Sequence, residues 1–588
     1  MAAAFRRILL GVYRPSLVFV GCPATRLFAG RSVGRNELWY QSQRFLSTKG
    51  GPSLVDLMDL TLPHTWYPNA RKKKRHVVMH VGPTNSGKTH TAIQRLQLCS
   101  SGVYCGPLRL LAWEVAERVN KANVACNLVT GQEKREVDGA KHTAMTVEMA
   151  DVTRDYGCAI IDEIQMIGCQ ERGFSFTRAL LGLAADELHL CGDPSAVSVV
   201  QNLLAATEDS FEVKYYNRLS PLEAMRKPLG TYSRIRKGDC VVAFSRRNIY
   251  SIKKEIETSG KLKCSVVYGS LPPETRTRQA EQFNDTSSGL DVLVASDAVG
   301  MGLNLNIRRI IFSTLEKFDG TCTRSLTPVE IKQIAGRAGR FGSMFPDGEV
   351  ACLKSEDLPL LHGSLSTPSI PLKAAGLLPA FDFFALYSTL HPDMTFAEIL
   401  EDFMRKARLS PDYFMCNCES MMVVAEMIQN LPLPLQDRFL FCICPVDIKD
   451  EISMGALVQF ASAYAKEGSV SLQKIFTPGN IKLPRTQGAL IQLESFHKVL
   501  ELYIWLSLRF KDAFNDYHLA LSQKELCSLI IEEGMKMVGV AKKSNRKHIR
   551  KQTSILTKLA MEGLNDHPGQ GEDDCESAEF EESVTKSA

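Results

Sequence analysis

No uncharged apolar run in the 588 residues reaches the roughly 18 that a membrane helix needs. The best candidate, Ala374 to Tyr387, is broken by Pro379 and Asp382, so no membrane association is expected. A disulfide framework is also missing, because the 17 cysteines are scattered without regular spacing. The chain shows no internal repeat. It lacks a general basic excess as well. The net charge is +5, yet residues 1–50 hold eight Lys/Arg against the single acid Glu37, leaving the remainder slightly negative. A broad basic face is thereby excluded. With 45% apolar and 23% charged residues the composition is that of a globular protein, neither disordered nor fibrous. Its length is too great for one hydrophobic core and implies three or four domains.

The basic N-terminus has its own explanation. Phe5, Ile8, Leu9 and Val12 recur at helical spacing, with Arg6, Arg7 and Arg14 outside that stripe. An Arg-rich, acid-poor amphipathic start has the composition of an organellar transit peptide. Arg44-Phe45-Leu46-Ser47-Thr48 looks like a matrix-protease site, so residues 1–46 are expected to direct the chain to the mitochondrial matrix. Arg71-Lys72-Lys73-Lys74-Arg75 permits a nuclear pool or a nucleic-acid contact, but it reads first as a solvated face ahead of a strand.

Past the presequence, short β-branched runs alternate with amphipathic stretches. Strands are expected at 76–81, 158–161, 240–244, 264–268, 292–295 and 310–312. Helices are expected at 89–98 and 111–120. Such alternation, from about 70 to 355, argues two parallel-sheet α/β domains buried on both faces. From Pro371 onward the pattern turns helical, for example at 397–407, 423–431 and 500–510. The expected division is 60–212, 213–360 and a helical 361–540, followed by a charged, disordered tail at 541–588.

The segment Gly82-Pro83-Thr84-Asn85-Ser86-Gly87-Lys88-Thr89 fits G-x-x-x-x-G-K-[ST] between a strand and a helix. Its glycines let backbone N–H groups point at phosphate oxygens, beside the positive end of the next helix. Lys88 supplies a point charge for β- and γ-phosphates, and Thr89 a hydroxyl for Mg²⁺. After an apolar strand come Asp162 and Glu163, one able to hold Mg²⁺ and the other to orient or deprotonate a water. The pair of motifs implies an NTPase. Gln333-Ile334-Ala335-Gly336-Arg337-Ala338-Gly339-Arg340 lies in the second α/β domain, which has no phosphate loop of its own. On a helix, the spacing would put Arg337 and Arg340 on one face, where guanidinium forks suit a γ-phosphate. That arrangement makes domain closure depend on nucleotide, as in a motor.

The order GPTNSGKT, GPLRLLA, VTGQE, TVEM, DEIQ, HLCGDPS, VVAFSRRNI, YGSLPPETR, VLVASDAVGMGLNL and QIAGRAGR resembles the superfamily 2 DExH-box helicases. In detail it resembles the mitochondrial RNA-degradosome helicases of suppressor-of-var type, over about residues 60–540. The resemblance implies two RecA-like domains with a helical C-terminal region, and 3′-to-5′ unwinding of single-stranded and duplex RNA substrates. It implies ATP and Mg²⁺ as cofactors, with Mn²⁺ as the substitute, and a 3′-to-5′ exoribonuclease as a partner. DNA or hybrid duplexes are the alternative substrate, and a non-enzymatic RNA-binding scaffold is the alternative class. By position, Gly82–Thr89 and Asp162 bind nucleotide and metal, while Glu163, Gln333, Arg337 and Arg340 are catalytic. Longer members carry a folded region ahead of the motor, whereas here only residues 47–75 separate the presequence from the first strand.

Arg109, Thr130, Gly131, Thr146, Ser245 and Arg246 stand at the family's strand-contact positions. Hydroxyls, backbone N–H groups and arginines grip phosphates without reading bases, as a translocating motor requires. The near-neutral mature chain implies a narrow lined channel for the strand. Cys416, Cys418, Cys442 and Cys444 read as buried thiols, because C-x-C is not zinc-ligand spacing.

Overall fold

The computed structural model describes residues 57–538, apart from 260–261, 301 and 476–480. The expected transit peptide, its cleavage site and the charged tail lie outside the described residues. Eight strands build the first sheet: β1 (His76–Val81), β2 (Gly102–Gly106), β3 (Cys126–Val129), β4 (Lys134–Arg135), β5 (His142–Thr146), β6 (Asp155–Asp162), β7 (Ala184–Gly192) and β8 (Ser210–Tyr215). Their order is β4-β3-β5-β2-β6-β7-β1-β8. Only β3 with β4 pairs antiparallel.

The second sheet contains β9 (Leu222–Ala224), β10 (Asp239–Val242), β11 (Cys264–Val267), β12 (Val292–Ala295) and β13 (Arg309–Phe312). A hairpin, β14 (Glu316–Phe318) with β15 (Thr323–Ser325), precedes its last strand, β16 (Gly348–Cys352). The order β11-β12-β10-β13-β16-β9 is parallel throughout. Val241, Val294 and Ile311 have no exposed surface, as strands covered on both faces require. All six expected strands are present. The unforeseen β2, β5 and β7 are equally buried, but glycines, histidines and Glu187 interrupt their apolar runs.

The C-terminal region is mostly helical, with one difference from expectation. A parallel pair, β17 (Ala375–Leu377) and β18 (Tyr413–Met415), packs on the helix Gly173–Gly182 of the first sheet's layer. Thr177 Oγ1 donates to the Gly376 carbonyl at 2.6 Å, and a Cβ on Gly376 would stand 3.0 Å from Gly173 Cα. The helix expected at 423–431 runs Glu419–Met427 instead, started where Asn417 Oδ1 accepts the Glu419 N–H at 2.7 Å. The expected 500–510 helix is the latter part of a 21-residue helix, Gln487–Ser507, capped by Thr486 Oγ1. The helix Tyr517–Val538 lies alongside it. Cys416, Cys418, Cys442 and Cys444 are buried in this region, and burial pushes the Cys416 thiol up to about 11.

The basic run at 71–75 is not a solvated face. Arg75 is 1% exposed and pairs with Asp209 at 2.6 Å while donating to the Leu180 and Leu183 carbonyls. Arg71 donates to the Leu181 and Thr207 carbonyls. Only Lys72 and Lys74 of the run are exposed. The two arginines reach back to close the layer under β1, which removes them from any signal or nucleic-acid surface.

Candidate nucleotide and nucleic-acid sites

β1, β7 and β6 end in one row. Val81 is in register with Gly192, and Asp162 with Cys191. The Gly82 N–H donates to the Gly192 carbonyl at 3.2 Å, so the phosphate loop starts against HLCGDPS. Two residues turn the loop through left-handed backbone, Asn85 (φ 59) and Gly87 (φ 80). Gly82 could carry no side chain, since its Cβ would stand 2.6 Å from the Tyr216 carbonyl. The helix Lys88–Leu98 then begins, with its free N–H groups toward the loop.

The residues present fit a nucleotide's phosphates. Lys88 is buried, donates to the Pro83 carbonyl at 3.2 Å and makes no ion pair among the described residues. The Ser86 hydroxyl is buried without a partner. Thr89 Oγ1 donates to Asp162 Oδ1 at 3.1 Å, and Tyr104 OH to Asp162 Oδ2 at 2.9 Å. This oxygen set suits a hard cation such as Mg²⁺. Burial, then the neighbouring Glu163 charge, raises the Asp162 carboxyl to about 6, against the pull of Lys88. Glu163 itself sits in left-handed backbone (φ 55), a conformation costing a non-glycine residue about 1–2 kcal/mol. Gln165 holds it: Nε2 donates to Glu163 Oε2 at 2.5 Å, and Oε1 accepts the Asp193 N–H at 3.1 Å.

The second sheet's arginine loop stands against the phosphate loop. Asn85 Nδ2 donates to the Gly339 carbonyl at 3.1 Å, and a Cβ on Gly336 would overlap Thr84 Oγ1. One expectation fails here. The helix Pro328–Ala335 ends before the arginines, so Arg337 and Arg340 share no helical face. Gly336 caps it, and Gly339 turns away with φ 68 because a Cβ would strike the Gly348 backbone. Arg337 is held by the Gly300 carbonyl through Nε at 2.9 Å and Nη2 at 2.6 Å. Burial lowers its pKa, while the Glu163 and Asp162 charges act to raise it, so it stands in their field. Arg340 lies instead in the field of Glu114 and Arg118. Gln333 is half-buried on the preceding helix, beside Gly300.

The strand-contact candidates occupy the other half of the same sheet edge, after β2, β3 and β5. Gly106 and Thr146 are in register, as are Val129 and Met145. Thr130 Oγ1 accepts the Glu133 N–H at 3.0 Å, shaping its own turn, and Thr146 is buried at the end of β5. Arg109 opens the helix Arg109–Lys121 and donates to Gln132 Oε1 within VTGQE. In the second sheet Ser245 Oγ accepts the Asn248 N–H at 3.2 Å, starting the helix Arg246–Ser259.

Residues 63–216 match the DEXQ-box helicase domain of Suv3, and 222–342 the helicase conserved C-terminal domain. Residues 423–465 match the Suv3 C-terminal domain 1, and 490–537 the ATP-dependent RNA helicase SUV3 C-terminal domain. The mitochondrial ATP-dependent RNA helicase SUV3 of Oryza sativa subsp. japonica is 62% identical over 84% of this chain and 86% of its own length. The chain belongs to the Suv3 helicase family. The mitochondrial DExH-box ATP-dependent RNA helicase DExH16 of Arabidopsis thaliana is 61% identical, over 82% of this chain and 85% of its own. Mitochondrial SUPV3L1 of Homo sapiens is 43% identical, over 84% of this chain and 64% of its own.

Three features of this Suv3-family chain escape sequence reasoning. The first is a pair of acids, two helical turns apart on Gln487–Ser507. Glu501 Oε1 accepts from Arg109 Nη2 at 2.7 Å, while Glu494 Oε2 takes Arg246 Nη2 at 3.0 Å. Tyr268 OH donates to Glu494 at 2.6 Å, and Ser270 Oγ at 3.0 Å. Against a burial effect that opposes it, the Arg109 charge holds Glu501 below the usual carboxylate range. The second is Trp505, 3.4 Å from where a Gly131 Cβ would stand, with Arg509 stacked on its ring and donating to the Gly131 carbonyl at 3.2 Å. The third is Arg218, between the two sheets. No motif marks any of them, because each acquires its partner only through the fold.

Proposed function

We propose that the chain is an ATP-dependent RNA helicase of the mitochondrial matrix, acting in RNA degradation and surveillance. Residues 60–212 and 213–360 serve as two RecA-like domains, and 361–540 as the helical domain that lines the strand path. One observation carries the reading. The phosphate loop and the arginine loop interlock through Asn85 and Gly339, with Arg337 in the field of Asp162 and Glu163. A site divided between two bodies couples nucleotide state to their closure.

In this reading backbone N–H groups of Gly82–Thr89, the Ser86 hydroxyl and Lys88 bind the phosphates. Thr89 and Asp162 would hold Mg²⁺, which when bound would neutralise phosphate charge. Glu163, fixed by Gln165, orients the attacking water and takes its proton. Arg337 and Arg340 stabilise the charge that spreads over the transferring group, and Gln333 supports them. Arg109, Thr130, Gly131, Thr146, Ser245 and Arg246 grip strand phosphates, a mode that does not itself read the 2′-OH. The family resemblance supports 3′-to-5′ polarity, activity on DNA and hybrid duplexes and an exoribonuclease partner.

The test is strand separation of matched RNA, DNA and hybrid duplexes carrying 3′ or 5′ overhangs. RNA with a 3′ overhang should separate with ATP and Mg²⁺ but not with a non-hydrolysable analogue. Binding without separation under every condition would favour the scaffold reading.

A further inference from the structure

Arg218 stands between β8 and β9, outside every motif named above. Its side chain bridges both faces of the nucleotide cleft. Nη1 donates to the Thr84 carbonyl on the phosphate loop at 3.0 Å and to the Gly336 carbonyl at 2.9 Å. Nη2 donates to the Gly339 carbonyl at 3.0 Å and to the Ala338 carbonyl. Among the described residues it forms no ion pair, and burial lowers its pKa without an offsetting acid. The buried Nε has no acceptor.

As packing alone this is a poor arrangement. The unmet Nε donor alone costs about 1–3 kcal/mol. What the guanidinium adds is direction. Its planar fork aims several donors at once, and here one nitrogen serves both loops. Three of the four carbonyls it reaches are those of Gly336, Ala338 and Gly339, so it fixes the peptide planes immediately around Arg337 and ahead of Arg340.

We infer that Arg218 is a positioning residue for hydrolysis. It sets the register of the phosphate loop against the 336–340 loop, and so where Arg337 and Arg340 stand relative to the γ-phosphate. The inference rests on the ATPase reading above. Arg218 acts through the two loops and not on the phosphate itself.

The experiment is RNA-stimulated ATP hydrolysis by the full chain, comparing Arg218→Ala, Arg218→Lys, Arg340→Ala and the double variant Arg218→Ala/Arg340→Ala. Arg218→Ala should lower kcat by about tenfold or more with KM for ATP moved less than about threefold, a loss confined to the transition state. Lysine should rescue poorly, since one ammonium cannot direct donors to four carbonyls on two sides. On the Arg340→Ala background, removing Arg218 should cost clearly less than it does in the wild-type chain, because only its action through Arg337 remains. Losses that multiply, or a wild-type kcat in Arg218→Ala, overturn the inference. If the alanine variant loses its melting transition, Arg218→Lys and Arg218→Lys/Arg340→Ala replace it, and multiplying losses count in the same way. A wild-type chain that hydrolyses no ATP overturns the ATPase reading, and this inference with it.

Discussion

The edge of the first sheet has two halves that solve opposite problems. After β6, β7 and β1, the chain presents a buried lysine with no ion pair among the described residues, a serine hydroxyl without a hydrogen-bond partner and a carboxyl raised to about 6. After β3, β5 and β2, the corresponding positions are already satisfied. Arg109 is held by Glu501, and Gly131 is covered by Trp505 and Arg509. The first half is a site prepared for an anion. The second already holds a carboxylate, Glu501, where strand phosphates are proposed to bind, so a strand must exchange with it. A site that closes around a bound anion and a path along which a strand must slide call for these different designs.

The largest expected effect lies in the prepared half. Lys88→Ala should reduce ATP hydrolysis to background, because no other cation in the loop faces the β/γ charge. Hydrolysis near the wild-type rate would remove the phosphate-loop assignment and the comparison with it. Glu163→Gln should come next. It keeps the side chain's size and its Gln165 contact, so ATP binding persists while hydrolysis slows by roughly 10²–10⁴. Normal turnover in that variant would make Glu163 a strand-end residue only.

Effects in the satisfied half should be smaller, and one should have the opposite sign. Arg109→Ala should weaken single-stranded RNA binding by about 1 kcal/mol and reduce the salt slope by about one. Glu501→Gln frees the Arg109 charge while keeping a hydrogen-bond partner, and should tighten RNA binding by roughly threefold to tenfold, with a steeper salt dependence. Unchanged affinity in both variants would mean that the pair is structural, and the contrast between the halves would fail.

The contrast also explains what could be read in advance. The prepared half is written locally: GPTNSGKT and DEIQ are short, contiguous, and supported by the strands that flank them. Their residues meet in register because adjacent parallel strands end together. The buried β-branched runs exposed six strands for the same local reason. The satisfied half depends on partners far along the chain, Arg109 with a residue 392 positions away and Gly131 with one 378 positions away. Arg218 was illegible because its acceptors are backbone carbonyls, which leave no mark in a sequence. The end of the helix at Ala335 was illegible because Gly336, which caps it, packs against Thr84 of the phosphate loop, a contact made only in the fold. Arg75 was misread for a related reason, since its acid, Asp209, enters only when β8 pairs with β1.

The most direct test of the central claim is ATP hydrolysis by the full chain with and without single-stranded RNA. If the two half-sites are coupled through the interlocked loops, RNA should raise kcat severalfold or more, and the stimulation should vanish in Arg337→Ala while RNA binding persists. Hydrolysis that is absent, or the same with and without RNA, would contradict the account.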